Sequence, residues 1–224
     1  MPDSPYSAAR KADKPPDYFA GVRADIVDRL PFNPAARILE IGCGEGATGA
    51  LAKAQGKCAH YIGVDCDAVA AAKARCALDQ VIEGDVEALD LAQLDGPFDA
   101  VILSEVLEHL VAPWALVAKL RKVMRPGATI HASSPNIAHH RIIRALLLGQ
   151  FAYTRSGVMD RTHLRWFTPQ SYRSMFEEAG FETLSLNALA SPGWKARLAN
   201  LLTFGRLGHL TISQIAYQGR VPQA

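Results

Sequence analysis

The chain has 224 residues, of which 49% are apolar and 21% are charged, a composition typical of one globular domain with a large core. We predict a cytoplasmic protein, because no apolar segment follows Met1 and no apolar run approaches the roughly 18 residues that a membrane span needs. The net charge is +2, yet residues 1–108 carry 10 Lys and Arg against 18 Asp and Glu, whereas residues 109–224 carry 14 against 4. The basic half indicates either an anionic partner or a solvated, cationic helix face.

The cysteines show neither a disulfide framework nor a metal-binding pattern. No C-x-x-C pair occurs and no histidine stands at metal-ligand spacing from the four cysteines, which are Cys43, Cys58, Cys66 and Cys76. We therefore expect reduced thiols and no bound metal.

Strands and helices alternate through the first 134 residues. The polar, proline-bearing segment 1–16 predicts a disordered tail, and apolar spacing predicts an amphipathic helix from Tyr18 to Leu30. Apolar runs that end at polar residues predict five strands with helices between them: strands at 37–41, 60–65, 79–83, 98–104 and 128–134, and helices at 46–56, 67–76, 87–94 and 112–124. Such crossovers require a Rossmann-like, doubly wound α/β sheet with its ligand crevice at the carboxyl ends of the strands.

The pattern changes after the fifth strand. Segment 136–167, with a helix from Ile137 to Leu148 and a basic, aromatic loop, is too long for a simple connection and predicts a substrate lid. A capped helix at 168–179, a sixth strand at 181–189, a small insertion at 191–208 and an antiparallel last strand at 209–218 follow. The sequence thus predicts one domain over 17–224, with a seven-stranded, mostly parallel sheet.

A glycine-rich turn follows the first strand. Gly42, Gly44 and Gly46 alternate there, as expected where positive φ angles and a close ligand exclude a Cβ. The spacing alone does not identify the ligand, because Gly42, Gly44 and Ala47 also fit the dinucleotide pattern G-x-G-x-x-G/A.

Acidic residues at three strand ends discriminate between cofactors. Asp65 is placed to accept hydrogen bonds from ribose hydroxyls, Asp85 suits an adenine amino group, and Glu40 would repel the phosphates of a dinucleotide. Together they favour S-adenosylmethionine, which has a cationic sulfur and no phosphate. Helix capping is the alternative role for Asp65 and Asp85.

Several motifs in order along the chain resemble those of class I S-adenosylmethionine-dependent methyltransferases. They are Glu40-Ile-Gly-Cys-Gly-Glu-Gly46, Gly63-Val-Asp65, Glu83-Gly-Asp85-Val86, the run from Phe98 to Leu110, and Arg125-Pro-Gly127. Ser104-Glu-Val-Leu-Glu-His109 is similar to the ubiquinone-biosynthesis O-methyltransferases. Asp160-Arg-Thr-His-Leu-Arg-Trp-Phe-Thr168 is similar to bacterial methyltransferases associated with polysaccharide biosynthesis.

The resemblance implies a role for each matching residue. It places the three glycines at the methionine portion, Asp65 at the ribose, Asp85 and Val86 at adenine, and Ser104 and Glu105 beneath the sulfonium. The candidate cofactor set also includes Glu40, Cys43 and Cys66, together with Tyr18, which with Arg23 would cap the site from the leading helix or simply pack there.

Two histidines are candidates for a general base. His109 follows the fourth strand at the crevice, and His163 lies in the lid beside Asp160 and Arg161. An imidazole suits this task because its pKa is near working pH. A loop-shaping hydrogen bond is the alternative for His109, and anion binding or lid orientation for His163.

The lid also carries candidate acceptor-binding residues. Arginine forks bind phosphate or carboxylate and aromatic faces stack on sugar rings or bases, so the predicted set is Tyr153, Asp160, Arg161, Arg165 and Trp166. A lid that packs through Trp166 and Phe167 is the alternative.

The leading hypothesis is an S-adenosylmethionine-dependent O-methyltransferase acting on a glycan or another small biosynthetic intermediate. Anionic acceptors are included in this hypothesis. The alternatives are methylation of RNA, N-methylation of an amino sugar, and a degenerate nucleotide-binding module. Nucleic acid is disfavoured because no RNA-binding domain is appended. The basic amphipathic segments 137–148 and 194–206 suggest peripheral contact with an anionic membrane, or packing on the sheet or on a partner subunit.

Overall fold

In the described part of the chain, seven strands form one sheet. A computed structural model describes residues 19–190 and 193–223; the predicted disordered tail at 1–16 lies outside these ranges. The strands, numbered in chain order, are β1 Arg37–Ile41, β2 His60–Asp65, β3 Gln80–Glu83, β4 Phe98–Ser104, β5 Met124–Pro135, β6 Glu182–Ala188 and β7 Gln214–Arg220.

The strand order is β3-β2-β1-β4-β5-β7-β6. Strands β1 to β5 pair in parallel, whereas β7 runs antiparallel to both β5 and β6. This confirms the predicted doubly wound sheet with its antiparallel last strand. The chain winds from β1 towards β3 on one side and from β4 onwards on the other, so a crevice opens where β1 and β4 end side by side.

Helices cover both faces of the sheet, and two clusters of buried apolar side chains fill the space between. The central strands β1 and β4 are mostly apolar because neither face of the sheet meets water there. The helices are α1 Ala24–Val27, α2 Ala47–Ala54, α3 Ala68–Ala74, α4 Pro113–Lys122, α5 His140–Leu147, α6 Pro169–Glu178 and α7 Trp194–Leu202. None of the described helices is long and apolar enough to cross a membrane.

The leading helix is much shorter than the apolar spacing predicts. Within the described residues 19–30, only Ala24–Val27 is an α-helix, and Val22 is 50% exposed. The preceding residues instead lie along the glycine turn, where the carbonyl of Phe19 accepts a hydrogen bond from the Glu45 amide at 2.9 Å. Tertiary contact with the turn therefore replaces the helical hydrogen bonds of this segment.

Other element boundaries also differ from the prediction. The helix expected at 87–94 is reduced to a 3-10 turn at Leu91–Gln93, which the Asp90 side chain caps. The last strand begins at Gln214, later than predicted, because the preceding residues wrap around the buried side chain of Asn136, whose amide donates to the carbonyls of His209 and Ile212 at 2.8 and 2.7 Å.

The two ends of segment 136–167, the predicted lid, lie side by side just beyond β5. Asn136 and Phe167 form an isolated parallel bridge, and the Ile137 amide donates to the Phe167 carbonyl at 3.0 Å. Phe167 is buried in the main core against Tyr172, with ring centroids 5.1 Å apart. Both ends of the segment are thus fixed to the sheet, while α5 lies on its outer side with Leu147 82% exposed.

Candidate functional site

A cavity of about 320 Å³ lies where β1, β2 and β4 end. Its volume is at the lower end of the range for small-molecule sites. The candidate base His109 lines it. Most of the residues predicted to bind the cofactor line it too: Glu40, Gly42, Cys43, Gly44, Asp65, Cys66, Asp85, Val86, Ser104 and Glu105. Tyr18 lies outside the described residues.

The glycine turn has the left-handed backbone that its sequence predicts. Gly42 and Gly44 have φ angles of +73° and +54°, and a Cβ on Gly44 would lie 2.4 Å from the carbonyl oxygen of Phe19. Gly46 has a different environment, since a Cβ there would meet Ala74, the last residue of α3, and Leu78, which follows that helix. The first two glycines therefore shape the cavity, whereas Gly46 permits α2 to pack on α3.

Asp65 joins the glycine turn to the end of β2. Its Oδ2 accepts a hydrogen bond from the Gly44 amide and its Oδ1 from the Asp67 amide, both at 2.8 Å. Asp67, rather than Asp65, caps α3, through bonds from the amides of Val69 and Ala70. Burial raises the pKa of the Asp65 carboxyl. The alternative of a helix cap thus applies to Asp67, and Asp65 presents a rigidly placed carboxyl to the cavity.

Glu40 is the most deeply buried acid at the cavity, with 2% of its surface exposed. Burial raises its pKa to about 8, against the lowering effect of hydrogen bonds from Tyr61 and Thr48. The Tyr61 hydroxyl donates to Oε2 at 2.9 Å. Burial also raises the pKa of the neighbouring Cys43 thiol, which leaves it an inert wall residue. A ligand with a positive charge at this end would stabilise the Glu40 carboxylate.

Arg23 also lines the cavity. Its guanidinium pairs with Asp25 at 2.8 Å and donates to the hydroxyls of Ser133, at 2.8 Å, and Ser104. The side chain therefore links the leading segment to the ends of β4 and β5.

The remaining predicted cofactor residues lie on two loops. Asp85 is exposed and its Oδ1 accepts from the Glu87 amide at 2.9 Å, which forms a tight turn beside Val86. Glu105 has a φ of +55°, an unfavourable angle for a non-glycine residue, and burial raises the pKa of its carboxyl. Such strain is common at functional sites.

The lining also contains residues to which the motifs assign no cofactor role. They come mainly from the leading segment and from positions next to predicted ones: Phe19, Gly21, Val22, Ile41, Thr48, Val64, Asp67, Gly84, Val106 and Leu110. Adjacency to a strand end could have indicated several of them. Nothing in the sequence indicated the leading segment's extended path.

The two candidate bases lie together, although 54 positions separate them in the sequence. The ring centroids of His109 and His163 are 4.8 Å apart with an interplanar angle of 65°. His109 lines the cavity, and its Nδ1 lies 3.1 Å from the Thr162 carbonyl. His163 is buried outside the lining residues. Of this pair, His109 is the one placed to meet a ligand.

The charge of the lining discriminates between cofactors. Arg23 is the one Lys or Arg that lines the cavity within the described ranges. Five acidic residues line it as well: Glu40, Asp65, Asp67, Asp85 and Glu105. This excess of acid is unfavourable for the phosphates of a dinucleotide and favourable for a cationic, phosphate-free ligand. The residues present therefore fit S-adenosylmethionine.

Comparison with known proteins agrees with this geometry. A family model described as a methyltransferase domain matches residues 17–186. The chain belongs to this methyltransferase family.

Relatives and solved structures support the same assignment. The methyltransferase is 29% identical over 170 residues to a ubiquinone biosynthesis O-methyltransferase of Aromatoleum aromaticum, covering 74% of this chain and 72% of that one. It is 30% identical over 125 residues to trans-aconitate 2-methyltransferase of Azoarcus sp., covering 54% and 48%. A SAM-dependent methyltransferase from Archaeoglobus fulgidus is similar in structure, with a TM-score of 0.63, 21% identity and coverage of 91% and 96%. The protein is thus a class I S-adenosylmethionine-dependent methyltransferase.

The predicted acceptor residues of the methyltransferase are not among those that line this cavity. The Arg165 guanidinium donates to the carbonyls of Val111 and Leu164, and the Trp166 indole donates to the Val158 carbonyl at 3.2 Å. Trp166 also packs with Phe151 and Tyr153 in an aromatic cluster. These contacts stabilise the lid itself.

The other three predicted acceptor residues differ in exposure: Asp160 is buried, whereas Tyr153 and Arg161 are exposed. The buried Asp160 carboxyl accepts hydrogen bonds from the Thr162 amide and hydroxyl at 2.9 and 2.8 Å. Tyr153 and Arg161 are exposed on the lid. None of the five lines the cavity within the described ranges, and their assignment to acceptor binding stays a prediction.

Two exposed segments carry the predicted membrane-contact residues. On α5 and the following loop, Leu147 and Leu148 are exposed beside Arg141 and Arg144. On and after α7, Trp194, Leu201, Leu202 and Phe204 are exposed. Peripheral membrane contact stays a prediction.

Proposed function

We propose that this methyltransferase transfers a methyl group to a hydroxyl of a small biosynthetic intermediate or glycan. The observation that carries the proposal is the position of the His109 imidazole at the wall of the cavity. The Thr162 carbonyl can only accept a hydrogen bond, so the neighbouring Nδ1 of His109 carries the proton and Nε2 has a lone pair. The resemblance to O-methyltransferases such as that of Aromatoleum aromaticum supports the choice of oxygen.

We propose the following arrangement of the cofactor. Gly42, Cys43 and Gly44 contact the methionine portion, with Glu40 near its ammonium group. Asp65 and Cys66 contact the ribose, Asp85 and Val86 contact adenine, and Ser104 and Glu105 lie by the sulfonium. The position of all these residues on one cavity supports this arrangement. The contribution of Gly46 is indirect, through the packing of α2.

The chemistry needs little covalent participation by the protein. S-adenosylmethionine supplies a methyl group bound to a cationic sulfur. As the acceptor oxygen forms its bond to the methyl carbon, the carbon–sulfur bond breaks, and Nε2 of His109 accepts the hydroxyl proton. The products are the methyl ether, S-adenosylhomocysteine and a proton that the imidazole releases to water. Most of the rate comes from alignment of the two reacting groups, and general base catalysis contributes about 10²–10⁴-fold.

We further propose that the acceptor approaches from the lid. Arg161 and Tyr153 are exposed on the lid surface, where an anionic group or a sugar ring can reach them. Arg165 and Trp166 support that surface through their bonds to main-chain carbonyls. An acceptor with a phosphate or carboxylate group fits this distribution better than a neutral one.

The test is a transfer assay with a labelled methyl donor on small-molecule, lipid-linked glycan and RNA fractions kept separate. We expect label in a small-molecule or glycan product that has the chemical stability of a methyl ether. Label in RNA, or in an N-methyl product, would contradict the proposal.

A matched pair of variants tests the base. His109→Ala should lower kcat about 100-fold or more while S-adenosylhomocysteine still binds, because His109 is proposed to act on the acceptor. His140→Ala, at an exposed position of α5, is the control and should retain activity. Equal activity of the two variants would exclude the imidazole as the base.

A further inference from the structure

A glutamate in the loop after β3 binds the loop that carries His109. The two carboxylate oxygens of Glu87 accept hydrogen bonds from the amides of Val111 and Ala112, at 2.9 and 2.7 Å. These amides belong to residues 24 and 25 positions further along the chain. Hydrogen bonds to a charged carboxylate are roughly twice as strong as neutral ones. Glu87 therefore joins two loops that are far apart in the sequence.

The same contact supports the start of α4. Ala112 precedes this helix and has no side chain that could cap it, and Pro113 in the first turn has no amide hydrogen. A carboxylate is stabilised at a helix N-terminus by the helix dipole. Lys119 of α4 in turn donates to the Glu87 carbonyl at 3.4 Å. Glu87 thus contacts α4 both at its start and further along the helix.

Both of the joined loops line the cavity. Asp85 and Val86 are lining residues, and Oδ1 of Asp85 accepts a hydrogen bond from the Glu87 amide at 2.9 Å. On the other loop, His109 and Leu110 line the cavity directly before the two amides that Glu87 binds. Glu87 is not itself a lining residue within the described ranges. Its effect on a bound ligand is therefore exerted through the two loops.

The lid is attached to the peptide group that Glu87 binds. The Arg165 guanidinium donates to the Val111 carbonyl. The amide of the same peptide group belongs to Ala112 and donates to Glu87. The Arg165 amide also donates to the Glu108 carbonyl at 3.0 Å. Hydrogen bonds therefore connect the lid to the loop after β4, and that loop to the turn after β3.

Apolar packing holds one part of the loop after β4 but not its end. Leu107 and Leu110 are buried in the core, whereas Val111 is 54% exposed and Ala112 is exposed as well. Exposed residues gain little from apolar burial, and segments with few buried contacts open easily. The position of the last two residues therefore depends on their hydrogen bonds, of which Glu87 accepts two.

We propose that Glu87 is a positioning residue for methyl transfer, which holds the loop of His109 and the attached lid against the turn of Asp85 and Val86. The proposal rests on the proposed cofactor arrangement and on His109 as the base. A cofactor that contacts this turn restricts its motion, and Glu87 passes the restriction to the peptide group after Leu110. The methyl donor and the acceptor side are thereby aligned together.

Hydrogen exchange of the whole chain, with and without S-adenosylhomocysteine, tests this coupling without an acceptor. In the parent, the ligand should slow amide exchange in the turn 84–88 and also across residues 107–112 and 158–167. In Glu87→Ala the ligand should still slow exchange in the turn, whereas its effect on the other two segments should fall about 10-fold. Without ligand, Glu87→Ala should speed exchange across 107–112 by a similar factor.

Two further variants sharpen the comparison. Asp90→Ala removes another carboxylate of the same segment that accepts a main-chain amide, but its partner is the Ala92 amide and not the loop after β4. This control should behave like the parent. Glu87→Gln keeps one acceptor oxygen and should show a smaller effect than Glu87→Ala, and it provides the test if the alanine variant does not fold.

Kinetics provide a second measurement once the transfer assay has identified an acceptor. Glu87→Ala should lower kcat about 10- to 100-fold because the reacting groups are misaligned. The KM for S-adenosylmethionine should stay within about 3-fold of that of the parent, since Glu87 does not line the cavity. An unchanged kcat would overturn the positioning role.

Three exchange results are also decisive. Equal exchange across 107–112 and 158–167 in the parent and both Glu87 variants would show that Leu107 and Leu110 hold the loop alone, which overturns the proposal. Faster exchange throughout the sheet in both variants would give Glu87 a general structural role and would overturn it too. A parent that does not bind S-adenosylhomocysteine would contradict the cofactor arrangement, and the exchange of the ligand-free proteins would then still decide whether Glu87 holds the loop.

Discussion

The glycine-turn side of the site and the lid side are built in different ways. On the first, Glu40, Gly44 and Asp65 stand at or beside strand ends, and the parallel sheet brings them together directly. On the second, His163 meets His109 only because an insertion of about 30 residues folds back onto the loop after β4. Strand ends thus give cavity-lining residues that a sequence pattern predicts, whereas polar side chains of the lid make hydrogen bonds within the lid and to the loop after β4.

The largest expected effect comes from truncating Phe167, the buried last residue of the lid. Phe167→Ala removes a fully buried ring that packs against Tyr172 and Trp114, so we expect a loss of about 3–5 kcal/mol in the free energy of unfolding. Phe151→Ala, at an exposed position of the lid, is the matched control and should cost far less. Denaturant unfolding measures both. A small effect of Phe167→Ala would show that the lid is not part of the core.

The next test concerns the carboxyl that joins the glycine turn to β2. Asp65→Ala removes the acceptor for the amides of Gly44 and Asp67, so S-adenosylhomocysteine affinity should fall about 100-fold. Asp90→Ala also removes an aspartate cap, but from a turn outside the cavity, and should leave affinity unchanged. Calorimetric titration compares the two variants. Equal affinities would show that Asp65 has no part in cofactor binding.

Glu40 predicts a pH dependence of stability on the glycine-turn side. Its pKa rises from 4.5 to about 8 in the folded protein, so between these values the folded state binds a proton that the unfolded state has released. The contribution of Glu40 to stability is therefore complete below pH 4.5 and is lost as pH rises through 8, by up to about 1.4 kcal/mol per pH unit.

Glu40→Gln removes this titration. As pH rises from 5 to 9, the free energy of unfolding of the variant should increase relative to that of the parent, because glutamine stays neutral. Glu45→Gln, at a partly exposed residue paired with Lys73, is the control and should show a much weaker trend. Parallel curves for Glu40→Gln and the parent would contradict the raised pKa.

The smallest expected effect separates two lid arginines. Arg165→Ala loses bonds to two main-chain carbonyls and should lower stability by about 1–2 kcal/mol. Arg161→Ala, at an exposed position, should change stability by less than about 0.5 kcal/mol and raise the KM for an anionic acceptor. Thermal unfolding and acceptor kinetics on both variants test this. The reverse pattern would mean that Arg165 binds the acceptor and Arg161 supports the lid.

The differences between prediction and structure follow from the range of the interactions. The bounds of β2 and β4 are as predicted, because their apolar runs are buried on both faces and end at polar residues. The leading helix was overpredicted, because the contact of Phe19 with the glycine turn replaces helical bonds. Arg165 remains a predicted anion-binding residue, and its contacts with main-chain carbonyls are ones that no side-chain pattern reveals.

The sequence by itself determined the sheet and the cofactor side of the site. Apolar periodicity, glycines at positive φ and acids at strand ends are local features, and a parallel sheet needs no further information to bring them together. Tertiary structure alone decided which groups meet on the lid side. The approach of His163 to Glu108 and His109 depends on hydrogen bonds between segments more than 50 residues apart. The local spacing of residues in the sequence does not predict such contacts.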